Sequence, residues 1–107
     1  MSRPPLAIIY AIPARADIAS IYRFIAEDNP VAAQAVVAAI HQAMVLPSQF
    51  PLKSRRTHQR GVRALPLSDY PYIVFFKLRR QKIEVLHVLH GACRHPGFQE
   101  EAVAYAF

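Results

Sequence analysis

The sequence predicts an α+β domain of order β-α-α-β-β-β, a helical hairpin packed on a small antiparallel sheet. Three observations carry the prediction. A short apolar run lies between prolines near the start, two helix-periodic segments follow, and the second half consists of β-patterned runs joined by short polar turns.

Leu6-Ala-Ile-Ile-Tyr-Ala-Ile12 is rich in β-branched and aromatic residues and bounded by Pro4-Pro5 and Pro13, which favours a strand over a helix. Pro13 suits the first turn of a helix, where its missing N–H costs nothing. Ile18, Ile21, Tyr22 and Ile25 then recur at i, i+3, i+4 and i+7, the stripe of an amphipathic helix expected from about Ala14 to Glu27. Asp17 is expected in its first turn, where the helix dipole favours an acid. Asp28-Asn29-Pro30 stops this helix and starts another, with Asn29 as cap and Pro30 in the first position.

The second helix is expected from Val31 to about Leu46, with Ala33, Val37, Ile40 and Met44 as its stripe, ended by Pro47 and Pro51. Its many alanines allow close approach to the first helix. His41, next to Ile40, reads as a partly exposed helix residue. Residues 47–61 show no apolar period and read as a long basic loop. Three β runs follow: Val62–Leu67, Tyr72–Leu78 and Ile83–His90, the last two joined through Arg79-Arg80-Gln81 as a hairpin. Their near-continuous hydrophobicity predicts strands covered on both faces. Gly91 ends the last strand, and 99–107 form an apolar tail. No repeat or linker divides the 107 residues, so a single domain is expected, with a core of about 6–94 and a tail of 95–107.

With 53% hydrophobic and 19% charged residues, the chain has the composition of a folded domain, not a disordered one. Uninterrupted apolar runs fall well short of the roughly 20 residues of a membrane span. The N-terminus lacks the pattern of a secretion signal. A lone cysteine, Cys93, excludes an internal disulfide. These features lead us to expect a cytoplasmic protein without a membrane partner. The charge of +6 is unevenly placed: residues 1–50 carry three bases and three acids, and residues 51–107 carry ten bases against four acids. The excess gathers in Lys53–Arg63 and Lys77–Lys82, neither of which contains an acid, a pattern that attracts a polyanion or an acidic protein.

The three glycines, at 61, 91 and 97, make no phosphate-binding loop. His87, His90, Cys93 and His95 are close in sequence but match no zinc spacing, and strand alternation sets His87 and His90 on opposite faces, so no metal or other cofactor is expected. Arg63, inside a predicted strand, either pairs with an acid (Asp17, Glu27 or Glu84) or faces a working surface. His90 and Arg94 would join it if their strands were neighbours. Such a set could bind a phosphate and move protons, as RNA cleavage by the 2′-hydroxyl requires.

Taken in order, Ala16-Asp17-Ile18, Ile21-Tyr22, Ile25-Ala26, Asn29-Pro30, Ala32-Ala33, Ile40, Leu46, Val62-Arg63-Ala64-Leu65, Tyr70-Pro71-Tyr72-Ile73-Val74-Phe75-Phe76 and Val88-Leu89-His90-Gly91-Ala92 resemble the RelE/ParE superfamily of toxin–antitoxin toxins, once called plasmid stabilisation proteins. The resemblance spans about Leu6 to Arg94. The Asn-Pro junction, the Pro-Tyr-Ile-Val strand and the Leu-His-Gly-Ala ending are similar to the ParE branch, whose members poison DNA gyrase without being enzymes. RelE-like relatives instead cut mRNA on the ribosome, with basic residues and often a tyrosine near the C-terminus; Tyr105 is the one tyrosine after the last strand here. Three positions depart from the pattern: His87 stands where relatives often have arginine, Cys93 intervenes before Arg94, and Ser54 stands in place of a glycine.

The resemblance implies a growth-inhibiting toxin of a type II system that poisons gyrase and is neutralised in a hetero-oligomer by a cognate antitoxin. The alternative is a ribosome-dependent mRNA endoribonuclease. Arg55, Arg56, Arg63, Arg79, His90 and Arg94 are the residues expected to bind the target. Arg63, His90 and Arg94 would be catalytic in the nuclease reading, and Ile18 and Tyr22 would receive the antitoxin.

Overall fold

A computed structural model describes residues 5–50, 55–57 and 59–91. Its elements are β1 (Ala7–Tyr10), α1 (Ile12–Ala26), α2 (Pro30–Ala43), α3 (Val45–Gln49), β2 (Arg55–Arg56), β3 (Val62–Pro66), β4 (Tyr72–Arg79) and β5 (Lys82–His90). The strands form one sheet in the order β1-β5-β4-β3-β2. The α+β class, the helical hairpin and the order β-α-α-β-β-β are as expected.

The sheet is mixed rather than wholly antiparallel. β1 runs parallel to β5, with Ala7 beside Lys82 and Tyr10 beside Val85. A chain that leaves β1 through two antiparallel helices can return to its neighbour in either sense, and here the β4–β5 hairpin sets the direction. The other pairs are antiparallel: Arg63 faces Phe76 across β3–β4, and Tyr72 faces His90 across β4–β5. The Arg80-Gln81 turn holds Gln81 at φ 59, a left-handed conformation that costs a non-glycine residue about 1 kcal/mol or more.

The expected loop 47–61 contains structure at both ends. Pro47 sits inside α3, where it lacks only an N–H that a first turn leaves unbonded anyway, and Arg55-Arg56 pairs with β3 as a short edge strand. The second helix therefore divides at Met44 instead of running to Leu46. α1 starts at Ile12, earlier than expected, with Pro13 in its first turn and Ala11 extended before it. That shift carries Asp17 out of the first turn. Asn29 caps α2 as its sequence demands, Oδ1 accepting from Ala32 N–H at 3.1 Å.

One core lies between helices and sheet: Ala14, Val36, Ile40 and Met44 meet Val74, Phe76, Ile83, Val85 and Val88, with Ile18, Ile21 and Ile25 of α1 packed against them. A second cluster, Val62, Ala64, Phe75 and Leu89, occupies the opposite face. β3–β5 therefore bury side chains on both faces, as their continuous hydrophobicity predicts. The stretch Pro30–Gln49 has a mean hydropathy of 1.4, enough by length and composition to span a membrane. Here Ala33, Val36, Ile40 and Met44 are buried within the fold.

Candidate target surface and antitoxin groove

The register gathers cations at one end of the sheet. The Thr57–Gly61 turn between β2 and β3 lies at the same end as the β4–β5 hairpin, because Val62 pairs with Lys77 and Arg79 with Lys82. Thr57 organises that turn: its N–H donates to the Val62 carbonyl (3.1 Å), and its hydroxyl reaches the same carbonyl at 2.9 Å. Val62 N–H returns a bond to the Gln59 carbonyl (3.0 Å), and Gly61 supplies the φ of +81° that closes the turn. An open cleft of about 380 Å³ results, lined by Arg56, Thr57, Gln59, Arg60, Gly61, Val62 and Arg63. Arg56 and Arg63 stand directly opposite each other in the ladder.

Arg79, beyond the cleft, is already engaged: Nη2 lies 2.8 Å and Nε 2.9 Å from Glu84 Oε1. Asp17 is also occupied. Its Oδ2 accepts Val88 N–H at 3.0 Å and lies 3.1 Å from His87 Nδ1. β1 makes its last bond to β5 where Ala11 N–H meets the Val85 carbonyl, so Asp17 takes over just where the neighbouring strand ends. Two of the acids considered for Arg63 thus serve elsewhere.

Arg63 and His90 are not brought together. β4 lies between their strands, and their partners on it, Phe76 and Tyr72, are four residues apart. That geometry separates them by about 13 Å along the strands and about 10 Å across. His90 sits at the opposite end of the sheet, exposed, with its ring edge-on to Tyr72 at 5.4 Å. His87 pairs with Phe75 and His90 with Tyr72, so the two histidines occupy opposite faces by register. Arg55 pairs with Ala64 in β2. Arg94, Lys53, Cys93, His95 and Tyr105 lie outside the described residues. Arg60 was not singled out from the basic run; the glycine after it, in a segment between two strands, was the available sign of a turn that presents it.

Ile18 and Tyr22 do share one feature. With Ala19 and Val37 they line a shallow apolar concavity between α1 and α2, flanked by Arg15 and Arg23. Elsewhere Tyr10 and His41 tie β1 to α2, the hydroxyl lying 2.8 Å from Nδ1, and burial raises the Tyr10 pKa.

The family described as the ParE toxin of the type II toxin–antitoxin system parDE matches residues 8–93. The chain belongs to the ParE toxin family. It is 34% identical over 73 residues to the Sinorhizobium fredii protein named "Putative toxin Y4kP", covering 68% of this chain and 75% of that protein. Two solved structures share the ParE-family fold. A chain of the chromosomal ParDE system from P. aeruginosa matches with a TM-score of 0.66 at 22% identity, over 79% of this chain and 95% of that one. A chain of the RelBE2 toxin–antitoxin complex from Mycobacterium tuberculosis matches with a TM-score of 0.55 at 18% identity, over 87% and 100%.

Proposed function

We propose that this ParE-family toxin arrests growth in the cytoplasm by trapping DNA gyrase on cleaved DNA, acting as a binder and not as a nuclease. The separation of Arg63 from His90 is the observation that carries this reading. A ribonuclease must set its acid, base and phosphate-polarising groups around one scissile bond, within hydrogen-bond reach of it. Here two of the three residues assigned to that task stand at opposite ends of the sheet. What the fold offers instead is a cationic end able to engage an anionic target, with Arg56, Arg60 and Arg63 around its cleft.

The antitoxin partner is proposed to lay an amphipathic helix on the Ile18/Tyr22 concavity. The apolar floor suits the i, i+3, i+4 anchors of such a helix, and the flanking Arg15 and Arg23 suit acidic residues at its rim.

Incubating the purified toxin with gyrase, ATP and supercoiled plasmid, followed by detergent and protease, tests the reading. Linear DNA that depends on both toxin and gyrase, and disappears with antitoxin, is the expected result. Its absence, together with mRNA cut by the same preparation on translating ribosomes, would establish the nuclease instead.

A further inference from the structure

We infer that the sheet face turned away from the helices is the docking site of this chain's own segment 92–101, laid along β4 with Glu100 and Glu101 at Lys77 and Lys82. The segment lies outside the described residues, and the inference goes beyond the target reading without depending on it. Val62, Ala64, Phe75 and Leu89 on that face are only 3%, 3%, 1% and 6% exposed. Among the described residues, the cluster they form with Ile73 and Leu86 draws on β3, β4 and β5 alone. α1 and α2 pack on the other face, against Val74, Phe76, Ile83, Val85 and Val88. A sheet face without a second layer stays wet, and Ala64, the partner of Phe75 on β3, is too small to shield a phenyl ring. The burial of Phe75 therefore calls for a further stretch of chain.

Residues 51–54 are committed to joining Phe50 to the edge strand at Arg55, and residues 1–4 precede β1, two strands away from β4. The segment after β5 starts in the right place. Gly91 N–H donates to the Pro71 carbonyl at 2.8 Å, and a Cβ on Gly91 would meet Ile73 Cδ1 at 3.6 Å, so the chain leaves β5 beside this cluster. Order along the face then matches order along the segment. From Gly91 the face presents Phe75 and then Lys77, about 17 Å along β4 from Tyr72, with Lys82 beyond it. The segment presents Phe98 and then Glu100 and Glu101, and the nine residues from 92 to 100 reach up to about 30 Å. Lys77 and Lys82 belong to this face by register: Lys77 pairs with Val62 and with Glu84, and Lys82 stands two places from Glu84. Glu84 is engaged by Arg79, so the two carboxylates of the segment add acid where the face has an excess of base. Apolar contact holds the segment, and the exposed charges set its direction.

The test places a nitroxide on residue 102 of the full chain, as Ala102→Cys in a Cys93→Ser background, and reads paramagnetic broadening of backbone amides. The oxidised label is compared with its reduced form, whose spectrum also verifies the fold. Amide peaks of Gly61, Val62, Lys77 and Lys82 are expected to lose more than half their intensity. Weaker loss is expected at Ser68, Asp69 and Tyr72, beside the point where the segment leaves the sheet. Glu100→Gln with Glu101→Gln is expected to cut the loss at Lys77 and Lys82 by about half.

Broadening strongest at Ser68, Asp69 and Tyr72 and fading along the strands would overturn the inference, since a segment held only at Gly91 gives that pattern. So would broadening strongest at Ala19 and Val37, which line the concavity between the helices. Mixing isotope-labelled chains that lack the nitroxide with nitroxide-bearing chains that lack the isotope separates one molecule from two. Broadening that passes between chains would assign the cover to a second copy. Unchanged broadening in the double glutamine variant would overturn the placement of the acids.

Discussion

Asp17 changes meaning between sequence and structure. As the sixth residue of α1 it lies beyond the turn where the helix dipole would favour it, and its carboxylate holds the Val88 N–H left exposed when β1 ends. A buried backbone donor deprived of its acceptor costs about 1–3 kcal/mol. Asp17→Ala should therefore lower stability by that amount in urea unfolding, whereas Asp17→Asn, which keeps an acceptor oxygen, should lose less than half as much. Equal losses would show that the charge, through His87, matters more than the hydrogen bond. Nothing local in the sequence could reveal this role, because Asp17 and Val88 are 71 residues apart. Arg79 is similar: a base in an acid-poor run is visible in the sequence, but its bond to Glu84 depends on the hairpin closing at Arg80-Gln81. With Arg79 half exposed, that pair contributes at most about 1 kcal/mol.

Elements were legible where one local rule dominated. The Asn29-Pro30 junction states both a cap and a first helical position, and the structure supplies the Ala32 N–H to Asn29 Oδ1 bond that the rule requires. Asn29→Ala should cost about 1 kcal/mol and Asn29→Gly only a few tenths, read as shifts in the urea midpoint at unchanged slope. The β4–β5 hairpin was legible from two β runs joined by a polar turn, and α1 and α2 from helical periodicity with the prolines that bound them. The edge strand Arg55-Arg56 was not, since a two-residue strand has no period to read and exists only because β3 offers a free edge. The parallel placement of β1 was hidden for a related reason, as it depends on the path of the whole helical crossover.

At the scale of the whole molecule, the described cations that the sequence spreads over residues 56–82 gather at one end of a sheet. The turns between β2 and β3 and between β4 and β5 fall together there. The same topology sends His90 to the opposite end, which no reading of residue types could have decided without strand order. Membership of the ParE family establishes the fold and the toxin class; the target depends on which end of the sheet works. The most direct measurement is the yield of gyrase-dependent linear plasmid DNA from Arg60→Gln and His90→Ala toxins run beside the wild type. The account predicts a strong loss for Arg60→Gln and a near-wild-type yield for His90→Ala. Loss with His90→Ala and full activity with Arg60→Gln would contradict it.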